Sequence, residues 1–346
     1  MATSSFAKKL LDWAGTYDRN LPWKSRTDAY AIWLSEIILQ QTRMEQGLPY
    51  YVRFLEAFPT IQDLAQADEQ KVMKLWQGLG YYSRARNLHF TAQYITKELN
   101  GQFPKTYETL LALKGVGPYT AAAIASFAYG LPHAVVDGNV FRVLARYAAD
   151  FTDIGTGAGR KHFTELANQL LDIKQPGAFN QALMDLGAMI CKPQNPACNQ
   201  CPLQGECRAL AQNRIAQLPV KAKKIKRKTR YFYYFVFRKG ETLWIQKRTG
   251  KDIWQSLYEF PNIESPKHLT KSKIQEGLQE IIGANPSIKN QYGPITQLLT
   301  HQKIIAYFWE VDVLRKPRLD SLIAVQEGHL PDYPFPKMMA EYIRNQ

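Results

Sequence analysis

Long hydrophobic runs are missing from this 346-residue sequence, and no stretch reaches the ~20 apolar residues needed to cross a bilayer. Its first residues, Met1 to Lys9, lack the apolar stretch of a secretory signal, so an intracellular protein without a membrane partner is expected. Cysteine is scarce: there are four, and none lies outside residues 191–207. That argues against a disulfide-framed scaffold, and thiols would persist in the expected compartment. Internal repeats and low-complexity tracts are also absent. What remains is ordinary for a globular chain, 45% hydrophobic and 21% charged, and its length predicts two domains.

Acidic residues are too few to balance the basic ones, leaving a net charge of +14, which favours a polyanionic partner. Half of that excess, +7, falls in residues 221–230, KAKKIKRKTR. Such a run reads as a solvated tether, and equally as one that touches phosphate while crossing DNA.

Residues 1–215 carry helical periodicity, as in 60–77 and 161–173, punctuated by Gly and Pro. Beyond the basic run, 231–237, 242–246 and 304–311 are aromatic and β-branched and predict strands, with one helix over 271–282. The expected fold is multi-domain. A helical domain over 1–215 is followed by a basic linker over 216–230 and a smaller α+β domain over 231–346.

The cysteines Cys191, Cys198, Cys201 and Cys207 form a C-x6-C-x2-C-x5-C pattern. Thiols so crowded in an intracellular chain point to a shared metal rather than to disulfides. Structural zinc prefers paired short spacings, and only Cys198 and Cys201 form one, so the spacing favours an iron–sulfur cluster while leaving zinc open. Residues 113–126, LKGVGPYTAAAIAS, read as a helix end, a tight turn at Gly115 and Gly117, and a small-residue helix. Amides at the start of that helix would suit a phosphate oxygen, although the same pattern serves as a plain helix–turn–helix corner.

The hairpin LKGVGPYTAAAIA, the segment VVDGNVFRV (135–143) and the cysteine pattern together resemble the helix-hairpin-helix DNA glycosylases. LPW (21–23), WLSEIILQQTR (33–43) and GLGYYSRARNL (78–88) resemble the adenine DNA glycosylase (MutY) branch. Tyr119 points the same way. In the lyase branch, similar to endonuclease III, that position carries the Schiff-base lysine, and a phenol cannot form one. The resemblance implies a 4Fe–4S cluster on the four cysteines. It also implies a helix-hairpin-helix catalytic domain that hydrolyses the N-glycosidic bond of adenine opposite 8-oxoguanine or guanine in double-stranded DNA. A monomer is expected. An oxidised-pyrimidine glycosylase with lyase activity is the alternative, and a DNA-binding module without catalysis is a further one.

Cutting between adenine N9 and C1′ asks for one protonated carboxyl to donate to the base and one ionised carboxyl to stabilise the sugar cation. Glu36 lies in apolar surroundings that would raise its pKa, and Asp137 precedes a helix whose N-terminus favours an anion. Read alone, Asp137 is a helix-capping acid and Glu36 a polar residue on an amphipathic helix. The resemblance implies Glu36 as the acid at adenine N7 and Asp137 as the stabiliser or covalent trap of the sugar cation, with Tyr119 and Asn139 as supporting groups. It further implies that Gln41 and Tyr81 wedge into the duplex beside the opposing base, and that Trp23 and Gln181 line the adenine pocket. The target base must leave the stack to be reached.

Residues 230–346 resemble the Nudix-like C-terminal domain of that branch. The helix KSKIQEGLQEII has only Glu276 and Glu280, too few for a Nudix magnesium site, so a binding role without catalysis is expected. The resemblance places an 8-oxoguanine contact at Phe-Ser-His, where this chain has Leu299-Thr300-His301. Thr300 keeps a hydroxyl able to donate or accept, and the aromatic side chain is gone.

Overall fold

The computed structural model describes residues 4–16, 26–222, 227–283 and 287–345. Along the chain run helices α1 (Ser5–Ala14), α2 (Ala29–Leu39), α3 (Met44–Ala57), α4 (Ile61–Gln66), α5 (Glu69–Trp76), α6 (Ser83–Glu98), α7 (Tyr107–Leu111), α8 (Pro118–Tyr129), α9 (Gly138–Ala148), α10 (Gly157–Leu170), α11 (Pro176–Met189) and α12 (Arg208–Ala211). Then come strands β1 (Lys228–Lys239), β2 (Thr242–Lys247), β3 (Tyr258–Glu259) and β4 (Asn262–Ser265), helix α13 (Lys271–Ile282), strands β5 (Ser287–Leu298), β6 (Gln302–Asp312) and β7 (Ile323–Gln326), and helix α14 (Lys337–Arg344). None of the described helices is long and apolar enough to cross a membrane. Contacts divide the chain into two compact units: 1–66 with 87–223, and 67–86 with 224–346.

The first unit is helical around two seams. In one, Phe6 and Leu10 of α1 pack with Val140 and Leu144 of α9, Phe163 of α10, and Phe179 and Leu183 of α11. In the other, α2 lies on α8. Helix α2 is buried from Ala29 to Ile38, and small residues Ala121, Ala122, Ala123 and Ala125 of α8 allow that close approach. Asp28 caps α2, accepting from the amides of Tyr30 and Ala31. At Gly187 in α11 an added Cβ would stand 2.7 Å from Asn139 Cβ, so α11 reaches the start of α9 only because that residue has no side chain.

The second unit is a mixed sheet of order β3-β2-β1-β6-β5, with β4 beside β1 and β7 beside β2. Strands β1 and β6 run parallel at its centre, Lys228 opposite Gln302 through Arg238 opposite Asp312. Side chains alternate along β1. Tyr233, Phe235 and Phe237 face Ile274 and Leu278 of α13, while on the other face Tyr234 stacks on Phe308, which stacks on Tyr342 of α14 at 4.1 Å.

The expected helices and strands at 161–173, 231–237, 242–246, 271–282 and 304–311 are present as α10, β1, β2, α13 and β6. The segment 60–77 differs. It is two helices, because Asp68 adopts an extended backbone and caps α5 through Gln70 N at 2.7 Å. Strand β5 carries no apolar run. It is an edge strand, exposed along most of its length and interrupted by register shifts, so its pairing with β6 has little hydrophobic signature.

Candidate active site

Glu36 sits mid-way along α2 and is 8% exposed, beside a cavity of about 380 Å³ lined also by Trp13, Ile32, Ser35, Gln181 and Asp185. Burial pushes its carboxyl up to about 7. Asp137 adds to the rise, and the Tyr119 phenol facing it offsets part. Tyr119 enters on the first turn of α8, where its hydroxyl donates to Met184 Sδ at 3.7 Å. Its own pKa is raised well above the phenol range by burial, then by Glu36 and Asp137.

Asp137 is the N-cap of α9. Its Oδ1 accepts from Val140 N at 2.7 Å and its Oδ2 from Asn139 Nδ2 at 2.7 Å. The sequence expectation stressed the anion-favouring helix terminus. Here burial is the larger effect and the net shift is upward, with hydrogen bonds from Val140 N and from the side chain and backbone of Asn139, and the charge of Arg142, opposing it. Asn139 Oδ1 in turn accepts from Arg142 Nη2 at 2.9 Å, and Arg142 Nε donates to the Cys191 carbonyl at 2.6 Å. A continuous polar chain thus runs from Asp137 to the cysteine loop.

The four cysteines are half-buried and free of disulfides. Burial and the neighbouring thiols push Cys201 up to about 11 and also raise Cys198 and Cys207, so the thiols stand near one another. Among the described residues, no group of three or more His, Cys, Asp or Glu is gathered to hold a single metal ion. The fit to a cluster rests on the donor set and its surroundings. Arg146, 2% exposed, bonds to no carboxylate among the described residues. Its guanidinium donates to the carbonyls of Lys192, Pro193, Ile215 and Leu218, and to Cys191 Sγ at 3.4 Å. A buried cation satisfied only by dipoles fits a neighbouring anionic thiolate assembly.

The hairpin forms as expected. Gly115 has φ +82°, and an added Cβ there would lie 2.7 Å from Asn87 Cβ. Gly117 is the N-cap of α8 with no side-chain cap bond. Gln40 Nε2 donates to Thr120 Oγ1 at 3.2 Å, tying the end of α2 to the hairpin helix. The next residue, Gln41, is exposed at φ +54°, a left-handed backbone that a side-chain-bearing residue rarely adopts. Trp23 lies outside the described residues.

In the second unit, Tyr81 is 45% exposed, also left-handed at φ +49°, and its hydroxyl meets Thr300 Oγ1. Both line a cavity of about 660 Å³ together with His301, Trp254 and Gln297. Glu276 and Glu280 are exposed on α13. Sequence reasoning missed Arg142, Arg146, Trp254 and Gln297. The arginines left a trace, four residues apart on α9 among Val143, Leu144 and Ala145, a spacing that turns both inward with the apolar stripe.

A helix-hairpin-helix unit holding one buried and one half-buried carboxyl, followed by a mixed sheet with one flanking helix over its Tyr233 face, is the architecture of a DNA glycosylase with a Nudix-type appendage. Residues 34–169 match the profile of the HhH-GPD superfamily of base excision DNA repair proteins, and residues 233–345 that of the NUDIX domain. The chain belongs to the adenine DNA glycosylase family. It is 37% identical over 264 residues to the adenine DNA glycosylase of Buchnera aphidicola subsp. Baizongia pistaciae, covering 75% of this chain and 74% of that one. Against the adenine DNA glycosylase of Rattus norvegicus it is 46% identical over 228 residues, 62% of this chain and 44% of the rat protein's length. Among solved structures, a thermostable thymine-DNA glycosylase is 29% identical with a TM-score of 0.55, covering 60% of this chain and 95% of that one. An endonuclease III–DNA complex shares the fold at 22% identity and a TM-score of 0.51, over 62% of this chain and 99% of that one.

Proposed function

We propose that this chain is a monofunctional glycosylase that hydrolyses the N-glycosidic bond of adenine mispaired with 8-oxoguanine or guanine in duplex DNA. The observation that carries this reading is a carboxyl, Glu36, held protonated to about pH 7 by burial beside a cavity, with Asp137 within electrostatic reach. Glu36 donates its proton to adenine N7, making the base a better leaving group. Asp137, fixed by Val140 N and Asn139 Nδ2, stabilises the cationic character that develops on the sugar as the bond to N9 breaks. Tyr119 and Asn139 hold these two carboxyls in place. Gln181 lines the cavity that receives the flipped base, and Trp23 is assigned there from the sequence alone.

Tyr119 in place of a lysine supports hydrolysis without a lyase step. The hairpin at Gly115 and Gly117 anchors phosphate, and Gln41 and Tyr81 wedge into the duplex. The Nudix-like domain, with Thr300 and His301, contacts 8-oxoguanine. The two domains divide the two tasks, the expected linker 216–230 giving way to β1 at Lys228 and residues 67–86 grouping with the second unit. Cys191, Cys198, Cys201 and Cys207 hold a 4Fe–4S cluster. With all four corners ligated, the cluster supplies organisation and charge to the loop rather than chemistry at the substrate.

Incubation with duplexes carrying A opposite 8-oxoguanine, or thymine glycol opposite A, followed by assay with and without hot alkali, tests this. Strand scission of the adenine strand only after alkali is expected. Intact adenine strands after alkali, or thymine glycol as the better substrate, would sink it.

A further inference from the structure

Within the second unit's 660 Å³ cavity, the polar groups differ in how they are satisfied. The Thr300 hydroxyl is engaged by the Tyr81 hydroxyl. Nearby, Arg227 Nε donates to the Leu299 carbonyl at 3.0 Å, and Arg230 Nη1 donates to Gln302 Oε1 at 3.1 Å. Gln297 stands apart. It occupies the penultimate position of β5, opposite Ile304 of β6, and its Oε1 is buried without a hydrogen-bond partner among the described residues. A buried acceptor left unpaired is destabilising, and in a folded protein it asks for a cause such as an absent ligand.

A primary amide presents an acceptor oxygen beside a donor nitrogen. Guanine offers a bare acceptor at N7 and only a C–H at C8. Oxidation at C8 reverses this pattern: N7 gains a hydrogen and becomes a donor, and C8 gains an acceptor oxygen. That edge is complementary to a glutamine amide, with N7–H donating to Oε1 and Nε2 donating to the C8 oxygen. Guanine matches neither bond.

We propose that Gln297 is a specificity-determining residue that reads the N7–H and C8=O edge of 8-oxoguanine through its amide. This rests on the second unit's being the sensor of the base opposite adenine. The full chain should be compared on duplexes with adenine opposite 8-oxoguanine, guanine and 8-bromoguanine, the last having bulk at C8 but no N7 hydrogen. Dissociation constants and single-turnover adenine release are both read. The wild-type chain should favour 8-oxoguanine over the other two.

Gln297→Leu, similar in size but unable to pair, should lower the 8-oxoguanine-to-guanine preference about tenfold, the worth of two neutral hydrogen bonds. Gln297→Glu keeps an acceptor for N7–H but loses the donor and repels the C8 oxygen, so it should weaken binding to 8-oxoguanine duplexes. Thermal melting of each variant reports whether it has folded. A preference undiminished in folded Gln297→Leu overturns the assignment, as does wild-type binding of 8-bromoguanine equal to that of 8-oxoguanine. A wild-type chain that does not separate 8-oxoguanine from guanine overturns the sensor reading itself, and the role of Gln297 with it.

Discussion

The side-chain amide of Asn139 joins Asp137 to Arg142, donating to the carboxylate at 2.7 Å while accepting from the guanidinium at 2.9 Å. It is the one link of the polar chain from the carboxylate to the cysteine loop that a small substitution removes cleanly. Asn139→Ala should leave Asp137 with the backbone amides of residues 139 and 140 as its remaining hydrogen-bonded partners and raise its pKa further. A charge-assisted bond of this kind contributes roughly 1.5–3 kcal/mol, so adenine release should slow by about 10- to 100-fold. Single-turnover kinetics at saturating enzyme measure this. An unchanged rate would mean that the bond orients nothing that matters to the reaction.

Glu36 gives a pH dependence of definite sign. Its folded pKa, about 7, lies above the ordinary carboxyl value of 4.5, so the folded state favours the proton. Activity that needs the protonated form is present below about pH 7 and falls as the pH rises through it. Stability follows the same direction. The penalty for ionising the buried carboxyl is absent below pH 4.5, grows as the pH rises, and is complete above 7, on the order of 3 kcal/mol. Glu36→Gln should therefore abolish base release yet melt at a higher temperature than wild type at pH 8. Retained turnover, or a lower melting temperature at pH 8 with none of this gain, would remove the assignment.

Gly115 is required twice, by its φ of +82° and by the 2.7 Å approach to Asn87 Cβ. Gly115→Ala forces both a left-handed alanine, at a cost of about 1–2 kcal/mol, and a shift of the α6 side chain. Binding to any duplex should weaken to a similar degree, whatever base lies opposite adenine. Affinities measured on matched and mismatched duplexes check this. A loss confined to 8-oxoguanine duplexes would contradict a phosphate-anchoring role.

For the cysteine loop, Cys201→Ser or exhaustive chelation should strip the iron and lower the melting temperature of the first unit. Arg146, packed against Cys191 Sγ, would lose its anionic neighbour. Iron content, visible absorbance and thermal melting are the readouts. Zinc in place of iron in the purified chain would correct the metal while keeping the site.

Much of this was legible because the residues involved obey local rules. The helix α13 follows from one amphipathic run, and the hairpin at Gly115 from a turn that only glycine tolerates. Glu36 was legible as a buried acid from the apolar letters around it. The upward shift of Asp137 was not, because it depends on burial by segments remote in sequence, which outweighs the cap that the local sequence advertises. Gln297 was invisible for a related reason. It lies on an edge strand without periodicity, and its singularity is an unpaired atom, which no letter encodes.

The packing of α1 has a consequence for how the polypeptide is made. Ser5 and Lys9 bond to Glu206, and Phe6 and Leu10 lie in one core with Phe179, Leu183 and Leu203, so the first helix closes contacts about two hundred positions away. During synthesis it emerges well before them and must wait for nearly all of the first unit before finding its partners. At roughly 5–20 residues per second, that delay is on the order of ten seconds or more. Translation pausing or truncation before residue 206 should therefore leave an apolar N-terminal helix exposed, and the nascent chain is most open to chaperones and proteases in that interval.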